Sequence, residues 1–158
     1  MDFLAGNFDL VLFLVLLAVG YSCGSIAERR HYASITRRET EQLDFQAMTV
    51  EPFLPREEVA DTFLVQGSAV ISIDYFKRLL AVLRNIFGGR VKAYESLVDR
   101  ARREATLRMK EQALARGADM VVNLRIETST IGNSANRKGR VGSVEAIAYG
   151  TAVTLHMS

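Results

Sequence analysis

Residues 90–131 read RVKAYESLVDRARREATLRMKEQALARGADMVVNLRIETSTI, and two elements inside them decide the fold. From about Arg90 to Arg116 the positions Tyr94, Leu97, Val98, Ala101, Ala105 and Met109 recur at helical spacing on one face. Gly117 follows where a helix C-cap is expected. Beyond it the period changes: Val122, Leu124 and Ile126 alternate with Asn123, Arg125 and Glu127, which predicts a strand over Met120–Ile131 with one buried face. The two alanines in the helical stripe would let the helix lie close against a sheet. Leu107 and Leu114 point nearly the opposite way, among Ser96, Arg103 and Lys110. They read as contacts with a neighbouring subunit or as scattered surface apolar residues.

Working toward the C-terminus, Gly132–Gly142 is a polar, basic loop with Arg137, Lys138 and Arg140. Val144–Met157 is a last strand with Ile147, Tyr149, Val153 and Leu155 on one face. Working toward the N-terminus, Asp74 caps a predicted helix over Tyr75–Phe87. This helix is apolar around most of its circumference, with Tyr75, Leu79, Val82 and Ile86 beside Phe76, Leu80, Leu83 and Phe87. So wide an apolar surface needs cover from its own subunit or from another chain. Phe63, Leu64, Val65, Val70, Ile71 and Ile73 predict two short strands or one bent strand, with Gly67 at the break. The expected class is α+β, a long helix on a small antiparallel sheet. One helix covers one sheet face, so such a domain gains from oligomerisation.

Residues 28–58 read as a connector between an N-terminal segment, 1–27, and a domain over 59–158. Within it Glu28–Glu41 extends the preceding helix, Phe45–Val50 is a short strand, and Pro52 and Pro55 interrupt regular structure. The N-terminal segment is apolar and uncharged from Leu10 through Ala27. Eighteen helical residues span about 27 Å, close to the hydrocarbon thickness of a bilayer. A cleaved signal peptide competes with an anchor, but Met1–Asp9 has no basic residue and two acids, which favours an uncleaved transmembrane helix. Arg29, Arg30, Arg37 and Arg38 follow the apolar run, so the N-terminus is expected outside and the C-terminal domain in the cytoplasm. Gly20 and Gly24 form a small-xxx-small pair suited to membrane-helix packing, or simply mark the membrane exit.

Composition narrows the function. The chain has 158 residues, 20 Lys+Arg, 18 Asp+Glu, one Cys and two His, which leaves no disulfide framework. Residues 1–58 hold 5 basic and 9 acidic side chains, and residues 59–158 hold 15 and 9. The basic domain suits an acidic partner, but Glu95, Asp99, Glu104 and Glu111 among the arginines read more simply as a solvated helix surface. No aromatic residue interleaves the 132–142 loop, so no nucleic-acid partner is expected; anionic lipid is a better match for its charge.

Gly88-Gly89-Arg90 with Tyr94, Gly117–Arg125 (GADMVVNLR, including Ala118 and Asp119) and Ala148–Val153 (AYGTAV, including Gly150 and Thr151) resemble the YbjQ-like family, labelled a "putative heavy-metal-binding" domain. Val65–Ser72, VQGSAVIS, resembles its opening strand pair. The resemblance runs from about Thr62 to His156. It implies a dodecin-like β-α-β-β subunit assembled into pentameric rings, and it supplies no catalytic residues. Together with the anchor's charge pattern it implies a bacterial inner membrane.

The metal label meets a poor ligand set. Soft-metal sites gather three or four thiolates or imidazoles. Here Cys23, His31 and His156 are scattered, and no CxxC or HxxxH occurs. His156 or Glu127 would serve only if an oligomer axis brought several copies together. Gly88-Gly89-Arg90 also suits a small anion at a helix N-terminus, but reads first as a turn. Ser129, Ser134 and Ser143 lack a His/Asp pattern, so no enzyme is expected and no cofactor is assigned. The reading is a membrane-anchored, homo-oligomeric scaffold, with Phe76, Leu80, Leu83, Leu107 and Leu114 at its interfaces and lipid and self as partners. The alternative is a divalent-metal or small-anion module with interface sites.

Overall fold

The computed structural model describes residues 8–50, 52, 55–72, 92–131 and 143–156. Helix α1 (Phe8–Glu41) runs unbroken for 34 residues, so Glu28–Glu41 does extend the apolar segment. Strand β1 (Gln46–Ala47), a 3₁₀ turn (Arg56–Glu58), β2 (Val59–Ser72), α2 (Lys92–Ala115), β3 (Met120–Ile131) and β4 (Ser143–Leu155) follow. The sheet order is β1-β3-β4-β2. Both β4 pairings are antiparallel, while β1 lies parallel to β3. The expected β-α-β-β antiparallel core is therefore extended by β1 into a mixed four-stranded sheet.

The Tyr75–Phe87 helix with Phe76, Leu80 and Leu83, the turn Gly88-Gly89-Arg90 and the 132–142 loop lie outside the described residues, as does the Tyr94 side chain. Over 59–72 the expected break at Gly67 is absent. The segment is one strand of 14 residues, and its register shift falls at Val59/Asp61. Gly67 serves packing instead. A methyl group there would collide with the Ala105 carbonyl and the Met109 amide, and would sit 2.9 Å from Arg108 Cβ. The helix backbone occupies the space that any side chain at 67 would need.

Small residues continue that close approach. Ala101, Ala105 and Ala113 of α2 are fully buried, and so are Ala146, Ala148 and Ala152 of β4. Val65, Ala69, Leu97, Met109, Val121 and Val144 complete the cluster, with Phe45 sealing one side. Of the β4 residues expected on one face, Ile147 and Tyr149 point away from the helix and stay 38% and 37% exposed, while Val153 is buried. Alanines go beneath the helix because larger residues would hold it off the sheet.

β3 departs from strict alternation for a different reason. Its pairing with β4 shifts between Val122 and Arg125, and Asn123 adopts φ 55°. This bulge swaps the faces, so Val121 before it and Leu124 and Ile126 after it reach the same core. Val122, expected inside with Leu124 and Ile126, is buried but lies outside that cluster. Gly150 sits opposite the bulge, where a Cβ would come within 2.7 Å of Val121 Cγ1.

Gly117 closes α2 as expected. It has φ 74°, and Ala118 N–H donates to Ala113 O while Gly117 N–H donates to Leu114 O, a Schellman pair of bonds.

Gly67→Ala should cost about 1–3 kcal/mol or more through overpacking. Gly117→Ala, which strains one residue in open space, should cost about 1 kcal/mol. Thermal melts of the full-length protein in detergent check the order; equal losses would contradict the packing role given to Gly67.

Candidate functional site

The described residues concentrate their charge chemistry where the second half of α1 lies along α2. Glu104 is the centre, with its side chain only 6% exposed. It accepts hydrogen bonds from Arg38 of α1 and, at 2.9 Å, from Arg108 one turn along α2. Arg38 also reaches Glu111 at 3.1 Å. Arg103 binds Glu39 through two bonds of 2.8 and 2.5 Å, the paired geometry that guanidinium and carboxylate favour. Toward the apolar half of α1, Arg100 lies 3.7 Å from Glu28, over the Tyr32 ring, and donates to His31 Nδ1. Tyr32 donates to the Ser96 carbonyl, and Lys110 to that of Phe45. Ile35 is the fully buried apolar side chain of α1.

These partners set the protonation states. Burial pushes Glu104 upward, but the hydrogen bonds from Arg38 and Arg108 outweigh it and hold the carboxyl below its ordinary range. Glu39 is lowered by Arg103. Burial, followed by the Arg100 charge, lowers His31, in keeping with an imidazole that accepts from Arg100. The cluster is thus a set of fixed opposite charges joining two helices.

Arg108 continues it to the sheet. It donates at 2.7 Å to the Ser68 carbonyl on β2, and Gln112 accepts from Gln66 N–H. The outer edge of β2 is capped there by side chains of α2, which blunts strand-to-strand association.

Two concavities flank these elements. One, of about 610 Å³, lies between the end of α1 and α2, with Glu39, Leu43, Arg102, Arg103, Leu107 and Lys110 among its walls. The other, of about 380 Å³, surrounds the β3 bulge, with Arg56, Thr62, Val122, Asn123 and Thr151 among its walls.

The residues singled out in the sequence are spread through this frame. Leu107 is not on an outer surface: it is 2% exposed, because α1 covers that side of α2, whereas Leu114 is 44% exposed. Asp119, in the GADMVVNLR motif, ties β3 to β4: its carboxylate accepts from Leu155 N–H at 2.7 Å and its own N–H donates to Val153 O. Ala118 belongs to the core. His156 and Glu127 are exposed and far apart in the fold, on different strands or their ends. Gly20 and Gly24 are half-buried in α1. Among the described residues no group of three or more His, Cys, Asp and Glu could hold a metal ion. His31 and Glu104 do approach to 3.7 Å, but the surrounding Arg38, Arg100 and Arg108 oppose a cation. Among the described residues of one chain the donor set therefore does not fit a metal.

Sequence reading missed Glu104, Arg38 and Arg103 as partners, and took Glu104 for solvated surface. The available signal was complementary: Arg38-Glu39 on one helix and Arg103-Glu104 on the other.

The signs for pH are alike. Glu104 and His31 both have lowered values when the helices are joined, so the unfolded chain binds more protons in the window below about pH 6.5 for His and about 4.3 for Glu. Stability is complete above that window and falls as acid crosses it. Melts across about pH 2 to 8 should show this loss, and Glu104→Gln should flatten its acid limb and cost about 1.5–3 kcal/mol. An unchanged melt in that variant would show that the charged pair adds nothing net.

The family described as "Putative heavy-metal-binding" (YbjQ) matches residues 47–156. A UPF0145 protein of Halobacterium salinarum is 41% identical over 108 residues, covering 68% of this chain and 96% of the relative. A Clostridium novyi UPF0145 protein is 39% identical over 103 residues, covering 65% and 92%. One from Pyrococcus furiosus is 36% identical over 114 residues, covering 72% and 93%. A solved structure of a protein of unknown function from Pediococcus pentosaceus covers 71% of this chain and 98% of its own, with 14% identity and a TM-score of 0.42. With the family matched across 47–156 and these identities spanning nearly the whole of each relative, the chain belongs to the YbjQ (UPF0145) family.

Proposed function

We propose that this protein is a membrane-anchored, non-enzymatic scaffold. Its YbjQ domain assembles with copies of itself into a ring or cage, pentamer-based as the family resemblance implies. The observation that carries the reading is a pair of apolar surfaces exposed among the described residues. The first is the N-terminal half of α1, whose most apolar window has mean hydropathy 2.3 and no residue buried by the rest of the chain. Leu10, Phe13, Leu14 and Leu16 are each more than half exposed. A helix apolar on all sides is stable when surrounded by lipid or by other helices.

The second surface is the sheet face opposite α2. Leu64, Val70, Ile147 and Tyr149 are exposed there on adjoining strands, while α2 covers only the other face. A sheet in contact with water on an apolar face gains from a partner, and a second copy supplies one. The charges after the apolar run support an N-terminus outside and a domain in the cytoplasm. Lipid and self are then the partners, and nucleic acid is not one. Leu114, exposed on α2, is available to a neighbouring subunit; Leu107 is not.

Native mass spectrometry of the full-length protein released from gentle detergent tests the assembly and any bound metal together. A discrete metal-free oligomer is expected, and Leu64→Glu with Ile147→Glu should convert it to monomers. A monomeric parent protein, or an oligomer with stoichiometric metal, would replace the scaffold reading with one based on ligand chemistry.

A further inference from the structure

We infer that the end of the domain formed by the start of α2 and the Ser72–Ser143 strand ends lies against the bilayer surface, with lipid headgroups as its partner. The inference rests on the reading of α1 as an anchor and adds which part of the domain meets the membrane.

The direction follows from three packing relations. First, α1 has no break between its apolar half and the half bound to α2, so it transmits the orientation of one to the other. Second, the two helices run parallel. Tyr32 meets Ser96 and Arg100, Arg38 meets Glu104 and Glu111, and Phe45 meets Lys110. The start of α2 is therefore level with the first turns after the apolar run. Third, β2 runs against α2: Gln66 meets Gln112 and Ser68 meets Arg108, which directs Ser72 toward the start of that helix. Ser72 pairs with Ser143, and Ser143 with Ile131, so three strand ends reach the same level.

The opposite end, with Ala115, Gly117 and Asp119, stands about 28 Å farther along α2 from Ser96 at the helical rise. Chemistry at the near end suits an interfacial position. Arg29 and Arg30 are exposed just beyond the apolar run, and Val70 and Ile131 are exposed at 53% and 45%. Cations close to anionic headgroups and apolar side chains at the boundary both gain from that placement. The ion pairs at Glu104 and Arg103 hold the domain in this attitude rather than leaving it to swing on the connector.

The test uses the full chain with Cys23→Ser, and one fluorophore attached through either Thr130→Cys or Ala115→Cys, both at exposed positions. Each is reconstituted into phosphatidylethanolamine–phosphatidylglycerol vesicles that carry a headgroup-attached nitroxide quencher. The label introduced by Thr130→Cys should be quenched several-fold more than that introduced by Ala115→Cys. Equal or reversed quenching in protein that floats with the vesicles would overturn the orientation alone. Failure to float would remove the anchor reading, and this inference with it.

Discussion

The close passage of α2 over Gly67 is the contact on which the rest of the structure depends. With no side chain at 67 and alanines at 101, 105, 146, 148 and 152, the helix backbone settles onto the sheet. That depth has consequences above and below. Beneath the helix, β4 must present small residues, which sends Ile147 and Tyr149 to the open face. Above it, Glu104 and Leu107 become a second layer, where α1 covers them. Arg108 joins the layers by touching both Glu104 and the β2 backbone.

The α1–α2 contact differs in kind from the core. Apolar burial is non-directional, whereas the paired bonds of Arg103 with Glu39 and the shared Glu104 carboxylate select one register. Ion pairs of this sort contribute little net stability because desolvation offsets attraction. Their effect lies in orientation: only one rotation of α1 satisfies Glu28, Tyr32, Arg38 and Glu39 together. The long helix with the apolar N-terminal half and the sheet domain are coupled by polar contacts that salt and acid weaken.

Family membership sharpens what is particular to this chain. The domain matched over 47–156 corresponds to nearly the full length of the relatives, and α1 lies before it. Half of the charged cluster therefore comes from outside the family domain and half from within it. The "heavy-metal" description finds no donor set among the described residues of one chain, whose acids around Glu104 are already committed to arginines.

Local chemistry is what the sequence by itself determined. The helical period of α2, the glycine cap at 117, the extension of α1 through Glu41 and the apolar run before Glu28 were all legible, because each depends on neighbours a few residues away. The short strand after Phe45 was legible too, though not its parallel partner. Tertiary structure decided which faces are covered. The bulge at Asn123 exchanges inside and outside along β3, and a preference for alanine beneath a close helix leaves Ile147 and Tyr149 of β4 on the other face. Glu104 and Leu107 looked like surface until a second helix covered them. Periodicity states that two faces differ; only the element packed against them, and its distance, determines which one leaves water.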